Sequence, residues 1–88
     1  MMVTVTVYMM LRKKLGWNSK TIKVEGEKAT LKEVLERIPE LKQLIEDPLF
    51  IKEYIVLVNG VNITLLKGLN TEITGITKID IFSPGGGG

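Results

Sequence analysis

Thr30-Leu31-Lys32-Glu33-Val34-Leu35-Glu36-Arg37-Ile38-Pro39 reads as one short amphipathic helix with both ends marked. Thr30 followed three residues later by Glu33 is a capping box, in which the threonine hydroxyl accepts from the amide of Glu33. Leu31, Val34, Leu35 and Ile38 recur at i, i+3, i+4 and i+7 and form an apolar stripe, while Lys32, Glu33, Glu36 and Arg37 point to water. Pro39 lacks the amide a helix interior needs and forces Ile38 out of the α region, so the helix ends near Arg37 or Ile38. Residues 40–46, with Leu41, Leu44 and Ile45, add a further short turn or two before Asp47-Pro48 stops them.

On the N-terminal side of this helix, Val3, Val5 and Val7 alternate with Thr4, Thr6 and Tyr8, which is the pattern of a strand with one buried face, over about residues 2–10. Residues 11–18, with Arg12-Lys13-Lys14, Gly16 and Asn18, read as a loop, and Trp17 within it as a cap over the edge of the core or else a ligand contact. Ile22 and Val24 against Thr21 and Lys23 make a second strand of the hairpin, broken by Gly26. On the C-terminal side, residues 54–58 (Tyr-Ile-Val-Leu-Val) form a continuous β-branched run that predicts a central strand covered on both faces. Asn59-Gly60 predicts a primed hairpin turn into a fourth strand over 61–65. A last strand over 78–83 places Ile79 and Ile81 inward. Strand, strand, helix, strand, strand, strand is an α+β domain in which one main helix crosses one face of a mixed sheet of four to five strands, and the β-grasp or ubiquitin-like arrangement fits that order. The domain spans residues 1–84 and a flexible glycine tail spans 85–88.

Composition removes whole classes of chemistry. With 88 residues there is one core and one domain, and without cysteine or histidine there are no disulfides, thiolate nucleophiles, imidazole bases or zinc ribbons. No metal site and no intrinsic catalytic residue are expected, because the carboxylates are scattered, with Glu25/Glu27 and Glu46-Asp47 the nearest approaches to pairs. A net charge of +2, with Arg12-Lys13-Lys14 the sole basic cluster, gives no reason to expect a nucleic-acid partner. No run approaches the roughly 20 apolar residues of a membrane span and nothing resembles a signal peptide, so no membrane partner is expected and the chain reads as cytoplasmic.

The end of the sequence carries the functional signal. Pro84 and four glycines, Gly85 to Gly88, follow the last strand. Glycines cannot pack a core and lose the most entropy on ordering, but a terminus without side chains can enter a narrow tunnel in a partner and leaves its carboxylate open to attack from either face. An unstructured end of no function is the other reading of the same run. Phe82 alternates to the face opposite Ile79 and Ile81, where it is either an exposed docking anchor or a side chain packed on the outer face of Tyr54, Val56 or Val58.

Taken together, these segments resemble the sulfur-carrier family of the ubiquitin-like superfamily, the small subunit of molybdopterin synthase and the thiamine-biosynthesis carriers included. Tyr8-Met9-Met10-Leu11-Arg12 with Gly16 is similar to the family's aromatic-x-x-Leu-Arg segment and glycine turn, and Ala29-Thr30 with Leu35 to its helix opening. Val56-Leu57-Val58-Asn59-Gly60 is similar to its Val-Asn-Gly hairpin, and residues 79–82, Pro84 and Gly87-Gly88 to its last strand, proline and diglycine. The resemblance implies that an ATP-dependent, ubiquitin-activating-like adenylyltransferase activates the Gly88 carboxylate, which becomes a thiocarboxylate. It also implies that Gly85, Gly86 and Gly87 enter the partner's active site while Phe82 and Pro84 help to dock it. No cofactor is bound by the chain itself, ATP being used by the activating enzyme. The molybdopterin synthase large subunit is the implied acceptor partner. Delivery for tRNA thiolation or thiamine, attachment to protein lysines, and an interaction domain that never uses its terminus are the alternatives. Two departures are visible: Gly75-Ile76-Thr77-Lys78 stands where the family has Gly-Asp-Glu, and Ser83-Pro84-Gly85-Gly86 where it has Pro-Pro and two further residues.

Overall fold

The computed structural model describes residues 1–83. Strand β1 (Met2–Tyr8) buries Val3, Val5 and Val7 and turns Thr4, Thr6 and Tyr8 outward. It ends two residues before the position that alternation suggests, because Met9 adopts φ 57° and the chain continues as helix α1 (Met9–Leu15). The segment expected as a loop is therefore helical: Leu11 and Leu15, four residues apart, both meet the core. Gly16, at φ 83°, takes the left-handed conformation that ends α1, and its amide donates to the carbonyl of Arg12 at 2.9 Å. Arg12, Lys13 and Lys14 lie in the last turn, where cations complement the helix dipole. Strand β2 (Ser19–Lys23) then returns antiparallel along β1.

Strand β3 (Lys28–Thr30) leads into helix α2 (Leu31–Leu35), and both capping-box bonds are present: Glu33 N–H to Thr30 Oγ1 at 3.1 Å and Thr30 N–H to Glu33 Oε1 at 2.9 Å. Ile38 is extended, as the following proline requires, and Pro39 itself occupies the first turn of helix α3 (Pro39–Ile45). Helix α4 (Phe50–Glu53) follows. The helical layer thus holds four short helices where one main helix with a further short turn or two was expected; α1 ends at Gly16, and α2 and α3 stop ahead of Pro39 and Pro48 before their apolar stripes can run further.

Strand β4 (Ile55–Val58) turns at Asn59 and Gly60, whose φ values of 48° and 84° are those of a primed turn, into β5 (Val61–Asn62). The expected fourth strand over 61–65 is only these two residues long. Asn62 Oδ1 accepts the amide of Thr64 at 2.9 Å and converts residues Ile63–Leu65 into a 3-10 turn. Strand β6 (Glu72–Thr74) pairs with β3 in a separate two-stranded ribbon, and β7 (Thr77–Phe82) closes the main sheet. The order is β2-β1-β7-β4-β5, with β1 and β7 parallel and the other neighbours antiparallel. Val3, Val5, Val7, Val56, Val58, Ile79 and Ile81 pack inward against Leu31, Leu35, Leu41 and Phe50 of the helices. No described element covers the opposite face of the sheet. β4 is accordingly covered on one face and not on both, with Ile55 50% exposed and Leu57 half-buried.

Candidate functional site

The bare face gathers apolar side chains at one end, where β7 delivers the chain to its terminal segment. Phe82 points outward, as alternation requires, but its partner is neither Val56 nor Val58, which face the core, nor Tyr54, which stacks on Phe50 with ring centroids 5.0 Å apart. Phe82 stacks instead on Tyr8, its register partner across the parallel β1/β7 pair, with centroids 4.4 Å apart and planes 8° from parallel. Ile55 is its partner on the β4 side, and Leu57 lies one row down beside Asp80. Met9 and Met10, both more than half exposed, extend the apolar surface beyond Tyr8.

Tyr8 is fixed as well as stacked. Its hydroxyl donates to Asp80 Oδ1 at 2.7 Å. That bond raises the phenol's pKa above its ordinary value of 10.0, and burial and the Asp80 charge act in the same direction. Tyr8 therefore contributes stability that is complete below the ordinary phenol value and lost as pH rises through the raised one. Ser83 is buried, and its Oγ accepts the amide of Met10 at 3.1 Å. Tyr8 offers no side-chain cap to α1, so this serine, far along the chain, satisfies one of the orphan donors in that helix's first turn. The last described residue is thus tied to the start of α1. Of the site residues expected from sequence, Phe82 stands at the edge of the apolar patch; Pro84, Gly85, Gly86, Gly87 and Gly88 lie outside the described residues. Tyr8, Asp80 and Ser83 were not foreseen. The outward alternation of β1 marks Tyr8, but its pairing with Phe82 is visible only once β1 and β7 are neighbours.

Trp17 caps the edge of the core, as one of its two readings held. Its Nε1 donates to Glu40 Oε2 at 2.9 Å, and Lys20 Nζ lies 3.1 Å from the same oxygen and 4.9 Å from the indole centroid. The backbone amide of Glu40, then Lys20 and Trp17, hold its carboxyl below the ordinary 4.5. A depressed carboxylate contributes stability present above the ordinary value and lost as pH falls through the depressed one. Trp17 is the chain's one tryptophan, so its fluorescence is expected to titrate with a midpoint below 4.5 and to lose that transition in Glu40→Gln. A midpoint at or above 4.5, or the same transition in the variant, would contradict the contact.

Among the described residues no three acidic, cysteine or histidine side chains converge as a metal site. The groove between α1 and α3, lined by Leu11, Lys14, Leu15, Glu40, Gln43, Leu44 and Asp47, has a volume of about 410 Å³ and is open to solvent. No helix among the described residues is long and apolar enough to cross a membrane.

A mixed sheet with its two terminal strands parallel at the centre and helices on one face defines the β-grasp, ubiquitin-like class of protein. The chain belongs to the ThiS family of ubiquitin-like sulfur carriers, whose model matches residues 5–88. Among solved structures, it is similar to small archaeal modifier protein 1 from Methanosarcina acetivorans, at 29% identity and a TM-score of 0.68 over 99% of this chain and 96% of that one. SAMP1 from Haloferax volcanii matches at 19% identity and a TM-score of 0.76, with all of both chains covered. The putative molybdopterin converting factor subunit 1 from Pyrococcus furiosus matches at 16% and 0.68, over 94% of this chain and 97% of that one. At those two lower identities the likeness is one of fold. No curated protein matches the chain.

Proposed function

We propose that this protein is a cytoplasmic sulfur carrier whose Gly88 carboxylate is the reactive group. An ATP-dependent activating enzyme of the ubiquitin-activating type docks on the Tyr8–Phe82 face and takes the glycine tail into its active site. There the Gly88 carboxylate attacks the α-phosphorus of ATP and releases pyrophosphate. Hydrosulfide, or sulfur at the same oxidation level from a donor protein, then adds to the acyl carbon; AMP leaves and a thiocarboxylate remains. The chain catalyses nothing and binds no cofactor of its own. A pterin held by the molybdopterin synthase large subunit is the acceptor that the resemblance implies.

The observation that carries this reading is the apolar cluster of Phe82, Tyr8, Ile55 and Leu57, left uncovered by the described residues, with Phe82 three residues in sequence before the first of four glycines. A second reading, attachment of Gly88 to protein lysines, is supported by the 29% likeness to a small archaeal modifier protein. Both share the adenylate. Glycine remnants on host lysines would mark the second, and sulfur lost to a pterin the first.

Phe82→Ala tests the docking step. As a large aromatic side chain in the apolar patch, its removal is expected to weaken binding to the activating enzyme by about ten- to thirty-fold. Loss of the Tyr8 stack is expected to cost only about 1 kcal/mol of stability. Unchanged affinity by calorimetry, or an unfolded variant, would count against this role.

A further inference from the structure

Asp80 stands in an unusual position for a carboxylate. It lies on the sheet face that no described element covers, yet it is only 7% exposed, flanked by Thr6 and Leu57 on the neighbouring strands and by the Tyr8–Phe82 pair one row further along. Oδ1 accepts the Tyr8 hydroxyl, and the one cation near it, Lys78, reaches only to 3.9 Å with a side chain that is 63% exposed. Oδ2 has no hydrogen-bond partner among the described residues. Since no fully buried side-chain oxygen there is left without a partner, Oδ2 must be the atom that reaches the surface. A single carboxylate oxygen without a partner among the described residues thus opens at the border of the apolar patch formed by Tyr8, Phe82, Ile55 and Leu57.

When a partner covers this patch, that oxygen loses its water, and a buried unpaired charge is strongly unfavourable. The partner must bring a donor. We propose that the partner which docks on this face inserts an arginine over Asp80, its guanidinium donating to Oδ2. Arginine suits the place better than lysine: its guanidinium is more weakly hydrated than an ammonium, and Lys78, 3.9 Å from Oδ1, keeps its side chain 63% exposed. This rests on the reading of the face as a docking surface, but not on activation of Gly88.

The probe is a pair of peptides, acetyl-Leu-Arg-Leu-amide and its citrulline counterpart, which has the same shape without the charge, titrated into the ¹⁵N-labelled chain. Saturable shifts are expected at Tyr8, Ile55, Leu57, Asp80 and Phe82, with citrulline about five-fold weaker or more, as loss of a charge-assisted bond requires. Asp80→Asn should erase the preference for arginine. Lys78→Met, which removes the competing ammonium and leaves the Asp80–Tyr8 bond intact, should tighten the arginine peptide about two-fold, and it keeps the test valid if the asparagine variant misfolds. Equal binding of the two peptides, shifts elsewhere or none, or weaker binding in Lys78→Met would overturn the proposal. So would shifts that grow with protein concentration alone, which would assign the face to a second copy of the chain. Deleting Gly87 and Gly88 should leave every one of these results unchanged, so failure here is distinguishable from failure of the carrier reading.

Discussion

A chain lacking Gly87 and Gly88 is expected to fold like the full chain and to be inert toward the activating enzyme. The fold half of the expectation follows from where the tertiary contacts lie. The core among the described residues falls between Val3 and Ile81, and the last tie among them is the Ser83 hydroxyl to Met10. Gly87 and Gly88 have no side chain to bury, so the melting temperature of the shortened chain should stay within about 1 °C. The chemical half follows from reach. If the carboxylate is drawn back by two residues, about 7 Å of extended chain is lost, more than any in-line attack on the ATP phosphorus can absorb. ATP–pyrophosphate exchange stimulated by the chain should drop to background. Undiminished exchange in the shortened protein would remove Gly88 from the chemistry and leave an interaction domain that works by its sheet alone.

Ile81→Ala is the substitution with the largest expected effect on stability. Ile81 is fully buried on the central strand β7, between Val7 on the parallel side and Val56 on the antiparallel side. Truncating it removes contacts to both neighbours and to the helical layer and leaves a cavity that the β-ladder on each side prevents from collapsing. The cost is about 2–5 kcal/mol. A domain of this length has about 5–10 kcal/mol in all, so denaturant midpoints should fall by about a fifth or more and the melting temperature by roughly 10–40 °C. A shift of only a few degrees would mean that the centre of the sheet relaxes far more freely than its pairing implies.

The contrast between Ile81 and its neighbour Phe82 shows what was legible in the sequence. Alternation alone put Ile79 and Ile81 inside and Phe82 outside, and the turn at Asn59-Gly60 and the capping box at Thr30 were written in residues that perform those tasks locally. Local signals failed where the partner is distant in sequence. α1 was hidden because its apolar stripe is just Leu11 and Leu15, and because the group that satisfies its first-turn amide is Ser83, 73 residues away. The Tyr8–Phe82 stack and the Tyr8–Asp80 bond depend on the parallel pairing of the first and last strands, which no neighbouring residue announces. The continuous run at residues 54–58 misled in the other direction. Its apolar outer positions, Ile55 and Leu57, suggested a second covering layer where the structure has bare surface. An excess of hydrophobicity over what the fold buries is itself a functional sign, and here it lies beside the strand that leads to the glycines.

The central claim is that Gly88 carries sulfur, and the absence of cysteine makes it directly measurable. A thiocarboxylate would be the one strongly nucleophilic sulfur at neutral pH, the four methionine thioethers being far less reactive toward a mild alkylating agent. The protein would be incubated with ATP, a sulfide source and host extract, treated with iodoacetamide, and its intact mass and C-terminal peptide read by mass spectrometry. A single adduct on Gly88 that disappears when ATP is withheld is the expected result. No adduct, in an extract that labels a known carrier, would contradict it.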